Sequence, residues 1–277
     1  MSALANRPFV KMNGLGNEIV VVDMRQTPSA ISADAARAVA QPGGVPYDQL
    51  MALYPPRTAG TASLIRIYNN DGSSAGACGN GMRCVASLIG KESGKDKLTF
   101  EVDGRVLDTW KNADGLFTVD MGAPRFAPRD IPFNAAVEQP TYPIDVGGER
   151  IVASVLSMGN PHAVQQVADV DMAPVRTQGP LLENHPDFPR RVNAGYMQVV
   201  SRDHIRLRVW ERGAGETLAC GTGACAAVVA GIRLGLLGTR VRVSTRGGDL
   251  AIEWPSRNAP VMMTGDAVRV FHGEIEI

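Results

Sequence analysis

Two cysteines stand where a thiol can serve as an acid or a base. Cys78 opens the run Cys78-Gly79-Asn80-Gly81 and Cys220 opens Cys220-Gly221-Thr222-Gly223, and each leads into an apolar segment, residues 85–89 and 226–232, suited to a buried helix. A thiol so placed sits at a helix start. Unpaired backbone N–H groups and the positive end of the helix dipole favour an anion there, either a thiolate or a bound carboxylate. If the site is electropositive, the thiol pKa can be drawn down toward neutrality. The glycines lack Cβ and let a ligand approach the backbone around Gly79, Asn80, Gly221 and Thr222. Cys84 and Cys225 fall on the apolar helix faces and read as small buried hydrophobes.

The motif is written twice, and so is what precedes it. Gly16-Asn17 lies ahead of Cys78 by almost the interval that separates Gly159-Asn160 from Cys220, so the chain reads as two related halves. Halves packed face to face about a pseudo-twofold axis would bring both thiols to one cleft. One thiolate could then remove a proton from a carbon while the opposite thiol returns one, inverting the centre without a cofactor. A carbon acid is far weaker than a thiol, so the developing charge needs donors already aimed at it. The first N–H groups of the two helices could supply them to a substrate carboxylate.

Other polar residues gain weight from their position. Asn69 ends a strand just ahead of the first thiol turn, and His162 follows Gly159-Asn160-Pro161 on a rigid turn from which it could tune a thiol. In Glu211-Arg212, arginine can grip a carboxylate with two parallel hydrogen bonds and glutamate can hold an ammonium group. The plainer alternative is an exposed charge pair of little energetic weight. A cysteine hydrolase would use Cys220 as nucleophile, His162 as base and Glu211 as orienter, but it leaves Cys78 without a role.

The elements that must position these groups follow from pattern. At 277 residues the chain has room for two domains, and 28 Lys+Arg against 28 Asp+Glu leave no excess charge for a nucleic acid or an anionic membrane. A small-molecule partner is expected. No run of about 18 apolar residues and no signal peptide is evident, which points to the cytoplasm. The cysteine spacings miss the usual zinc patterns, so no metal is expected. Strands are expected at 9–12 and 19–22 around a glycine turn that leads into β-branched residues rather than the helix a dinucleotide loop needs. Ser32 caps a helix over 33–40. Strands follow at 50–54 and 64–68, then a strand–turn–strand pattern over 97–120 and a crossover at 123–132. The second half offers strands at 142–146 and 151–156, a turn at 158–162, a short helix and loop over 171–189, and strands at 192–200 and 205–210. Beyond the second thiol helix come 241–245, 250–254 and 261–264, and a last strand, 268–277, that returns to the first half. The domains are therefore expected as 1–121 plus 266–277, and 122–265.

Asn13-Gly14-Leu15-Gly16-Asn17, Asn69-x-Asp71-Gly72, Ala77 to Gly81, Met158-Gly159-Asn160-Pro161-His162, Arg191-Val192-Asn193 and above all the string from Glu211 to Gly221 resemble the motif set of the diaminopimelate epimerases. The resemblance spans essentially the whole chain. It implies an α/β (α+β) fold of two pseudo-symmetric domains, each a mostly antiparallel sheet wrapped around a central helix, with the active site in the cleft between them. It further implies interconversion of L,L- and meso-2,6-diaminopimelate without pyridoxal phosphate or metal, on the bacterial route to lysine and peptidoglycan. By similarity Cys78 and Cys220 are the acid/base pair, assisted by His162 and Glu211. Asn17, Gln49, Asn69, Asn160, Asn193 and Arg212 would hold the substrate, with Arg212 on its distal carboxylate. The oligomeric state stays open, a homodimer included. One departure stands out: the family usually carries Gly-Ile-Gly-x-Asp where this chain has Gly44-Val45-Pro46-Tyr47-Asp48, which bears on the loop that delivers Gln49. A proline or hydroxyproline racemase would share the two-thiol scheme but has no use for a distal-carboxylate clamp.

Overall fold

Leu15 and Gly16 take left-handed backbone angles, φ 59° and 80°, as a two-residue hairpin turn matched to the twist of its strands requires. The turn joins Pro8–Gly14 to Asn17–Asp23 with Gly14 opposite Asn17, and Asn13 Oδ1 accepts the Gly16 N–H at 2.8 Å. The computed structural model describes residues 2–277, and the chain divides into two units. One runs to Asp120 and takes in Thr264–Ile277; the other is Met121–Met263.

Across the first unit's sheet, Val268–Glu274 lies beside Pro8–Gly14, followed by Asn17–Asp23, Gln49–Tyr54, Ser63–Asn69, Lys97–Val102, Arg105–Lys111 and Phe117–Asp120. Neighbours are antiparallel except where Asn17–Asp23 meets Gln49–Tyr54 and where Ser63–Asn69 meets Lys97–Val102. Parallel neighbours need a crossover, and a helix fills each: α1 (Ala33–Ala40), capped by Ser32 Oγ on the Ala35 N–H, and α2 (Gly79–Ser93). The sheet wraps α2, which touches strands on both sides of its crossover, and α2 is buried continuously from Gly79 to Ala86.

The second unit repeats this plan. Its order is Tyr142–Val146, Glu149–Ser157, Pro161–Gln166, Asn193–Ser201, His204–Glu211, Arg240–Thr245 and Gly248–Glu253. Its parallel contacts fall at the equivalent places, crossed by α3 (Val175–Glu183) and α4 (Gly221–Arg233). The mixed α/β class expected from the sequence holds, and the last strand does join the first unit's sheet. The strand Pro161–Gln166 goes beyond the turn expected at 158–162. Pro161 is tolerated as its first residue, and it pairs with Glu149–Ser157 on one side and Asn193–Ser201 on the other. Among the described residues no helix is long and apolar enough to cross a membrane.

Candidate functional site

In the first unit, Cys78 is the N-cap of α2, and its Sγ accepts the Gly81 N–H at 3.3 Å. The side chain of Gln49 lies beside it, Oε1 accepting from Sγ at 3.7 Å. Strand pairing explains this neighbour: Gln49 stands opposite Asn69, and Gln49 Nε2 donates to Asn69 Oδ1 at 3.4 Å. Asn69 Nδ2 in turn donates to Ser73 Oγ at 3.0 Å. One turn into α2, the buried Asn80 accepts from Arg83 Nη1 at 3.0 Å, and the fully buried Arg83 donates from Nε to the Asp266 carbonyl at 2.8 Å. Asn17, set by the hairpin, has its Oδ1 buried with no hydrogen-bond partner among the described residues. Such an acceptor is ready for a ligand donor.

The loop at Pro46 is pinned at several points. Lys11 Nζ donates to the Pro46 carbonyl and, at 2.7 Å, to Glu18; Tyr47 Oη donates to the Ala36 carbonyl at 2.6 Å; Asp48 Oδ2 accepts the Glu18 N–H at 2.8 Å. These bonds deliver Gln49 to the thiol.

In the second unit, Cys220 is the N-cap of α4 and is 4 % exposed. Its Sγ lies 3.7 Å from Thr222 Oγ1 and is hydrogen-bonded to Glu211. Burial, and after it the charge of Glu211, pushes this thiol well above its ordinary pKa. The lowering that an electropositive helix start would give is thus outweighed at Cys220. A dipole contributes about 0.3–1 kcal/mol in its first turn, and desolvation of a fully buried thiolate outweighs it. Glu211 also accepts from Thr217 Oγ1 across a short hairpin, a support the sequence did not reveal.

His162 reaches this thiol only through intermediaries. Its Nε2 is 3.0 Å from Asn160 Oδ1, and Asn160 Nδ2 donates to Thr222 Oγ1 at 3.3 Å. Burial, and then the charge of Arg212, lowers the His162 pKa from 6.5 to about 3, so the ring is neutral and donates from Nε2 to Asn160. The consequence for stability has a definite sign. Between pH 6.5 and about 3 the unfolded chain binds a proton that the native state refuses, so native stability falls as pH falls through that window. In His162→Gln the urea midpoint is expected to decline less steeply from about pH 6.5 to 4 than in the parent, read by parallel unfolding series.

Arg212 is half-buried beyond Glu211. Its backbone N–H donates to Asn193 Oδ1 at 3.0 Å, its Nη1 to the Arg190 carbonyl at 3.0 Å, and Asn193 Nδ2 is anchored on the Pro161 carbonyl at 2.8 Å. Burial, and then the neighbouring charge of Arg191, lowers its pKa. Gly221, Thr222 and Gly223 complete the turn under Cys220, where space is exhausted. A Cβ on Gly223 would lie 2.9 Å from Val209 Cγ2 and 3.2 Å from Cys220 Sγ. Gly223→Ala is expected to cost about 1–3 kcal/mol in denaturant unfolding and to depress activity by moving the thiol.

The two units therefore present matched sets. Gln49 and Asn193 each open the strand after the first crossover, opposite Ile19 and His162 in register, while Asn69 and Glu211 each close the strand before the thiol turn. Gln49 and Asn193 are both amides, whereas the amide Asn69 is answered by the acid Glu211 and the aliphatic Ile19 by the imidazole of His162.

The sequence pattern of the family described as diaminopimelate epimerase matches residues 9–127 and 154–270. The chain belongs to the diaminopimelate epimerase family. A diaminopimelate epimerase of Afipia carboxidovorans is 52% identical over 280 residues, covering 99% of this chain and 96% of that protein. One from Chromobacterium violaceum is 52% identical over 272 residues, covering 97% and 99%. Among solved structures, a hydroxyproline epimerase from Agrobacterium vitis superposes with a TM-score of 0.72 at 14% identity, covering 99% of this chain and 94% of that one. That likeness concerns the fold alone. Within the diaminopimelate epimerase family match lie both thiol turns, the Asn17 hairpin, and the segment from His162 to Arg212.

Proposed function

We propose that this chain interconverts L,L- and meso-2,6-diaminopimelate without a cofactor, with Cys78 and Cys220 acting on opposite faces of one α-carbon. The observation that carries this reading is the repeat itself: two cysteines occupy the N-cap positions of the equivalent central helices of two equivalent units, each turn opening on glycine. One thiolate takes the α-proton, and the other thiol donates its proton to the opposite face, so the carbon is inverted and the thiols exchange protonation states. N–H groups of Gly79, Asn80, Gly221 and Thr222 stabilise the charge that develops on the α-carboxylate. Asn17, Gln49, Asn69, Asn160 and Asn193 orient the amino acid, Glu211 and the neutral His162 set the state of Cys220, and Arg212 holds the distal carboxylate. Membership of the family supports a place in lysine and peptidoglycan precursor synthesis in the cytoplasm.

Incubation of the reduced protein with L,L-diaminopimelate in heavy water tests this. Appearance of the meso isomer carrying deuterium at the inverted centre is expected. A folded sample with both thiols free that leaves the substrate unchanged would overturn the reading and favour a smaller amino acid as substrate, since a proline-type racemase needs no Arg212.

A further inference from the structure

We infer that Glu183, which no substrate role above includes, is the positioning residue that fixes Arg212 for the distal carboxylate, on the diaminopimelate reading just given. Glu183 ends α3 and is 6 % exposed. Its Oε2 accepts the indole N–H of Trp210 at 2.7 Å, and its Oε1 accepts the backbone N–H of Gly213 at 2.8 Å and Nη1 of Arg191 at 3.0 Å. Trp210 precedes Glu211 and Gly213 follows Arg212, so one carboxylate ties down both ends of the functional pair. Gly213 has φ +78°, and the chain turns sharply there.

The backbone of the same residue holds the neighbouring strand, since its carbonyl accepts the N–H of Val192, next to Asn193. One helical turn earlier, a Cβ on Gly179 would lie 2.7 Å from Cβ and Cγ of Trp210, so α3 seats directly on this tryptophan. Electrostatics point the same way. Arg190 and Arg191 press positive charge on Arg212, and Glu183 is the carboxylate that opposes them. Charge-assisted bonds from three directions give the carboxylate a fixed orientation, and with it the turn that carries the arginine.

The test is a double-mutant cycle on the full chain. Glu183→Gln keeps the size but turns an amide N–H toward a donor, and it should raise the KM for L,L-diaminopimelate about tenfold while kcat stays within about threefold. In an Arg212→Lys background the same change should alter KM by less than about twofold, because the two residues act as one unit. Trp210→Phe, which deletes the indole donor together with part of the ring but leaves the Glu183 carboxylate and its bonds to Gly213 and Arg191, should shift KM in the same direction by less. It keeps the test decisive if Glu183→Gln does not fold. Equal KM effects in both backgrounds, or a loss confined to kcat and unfolding midpoint, would overturn the positioning role while leaving the epimerase reading intact. A parent protein inactive on diaminopimelate removes both.

Discussion

Replacement of either capping cysteine by alanine is expected to lower the inversion rate at least about a thousandfold while leaving proton exchange alive on one face. In Cys220→Ala, Cys78 can still remove an α-proton and return a solvent deuteron to the same side, so only the stereoisomer that presents its hydrogen to Cys78 should acquire deuterium. Cys78→Ala should label the other isomer. The two variants also differ in pH dependence. Cys220 is held as a thiol by burial and by Glu211. Its exchange in Cys78→Ala should therefore climb about tenfold per pH unit through the neutral range, as the thiolate fraction grows. NMR of the α-protons in heavy water reads both results. Labelling of the same isomer by both variants would contradict opposite-face action, and a flat pH profile in Cys78→Ala would contradict the environment described for Cys220.

The thiols, the glycines that follow them and the doubled plan were legible because they are local: a reactive side chain, two glycines and an apolar run occupy a dozen adjacent residues, and α2 and α4 begin where that pattern places them. Gln49 beside Cys78 was harder to read, because its position depends on a parallel pairing with Asn17–Asp23 across a helical crossover. Glu183 was invisible. It lies in a segment that shows only a short helix and loop, and Trp210, Arg191 and Gly213 reach it through tertiary packing with no sequence period. The link from His162 to Cys220 was hidden for a similar reason, since Asn160 and Thr222 stand between them and belong to different elements. The state of Cys220 was not legible, because the helix start is local and readable whereas complete burial and the nearby carboxylate are products of the fold.

Arg212→Met is expected to lower kcat/KM for L,L-diaminopimelate about a hundredfold or more, the scale of losing one partner of a partly buried charge pair, about 2–5 kcal/mol. The effect can be separated from folding. The methionine forfeits the bond from Nη1 to the Arg190 carbonyl, but the backbone N–H of residue 212 still reaches Asn193 Oδ1, and crowding with Arg190 and Arg191 is relieved. Thermal stability should accordingly hold while turnover collapses. Lysine supplies the control, since it is the same skeleton without the distal carboxylate. If Arg212 serves that group, the parent should discriminate strongly between diaminopimelate and lysine, and Arg212→Met should lose the discrimination by slowing only the former. A variant that keeps its preference for diaminopimelate would place the distal carboxylate elsewhere and return Glu211-Arg212 to an ordinary charged strand end. An equal fall on both substrates would assign Arg212 to the shared amino-acid end, where the thiols act.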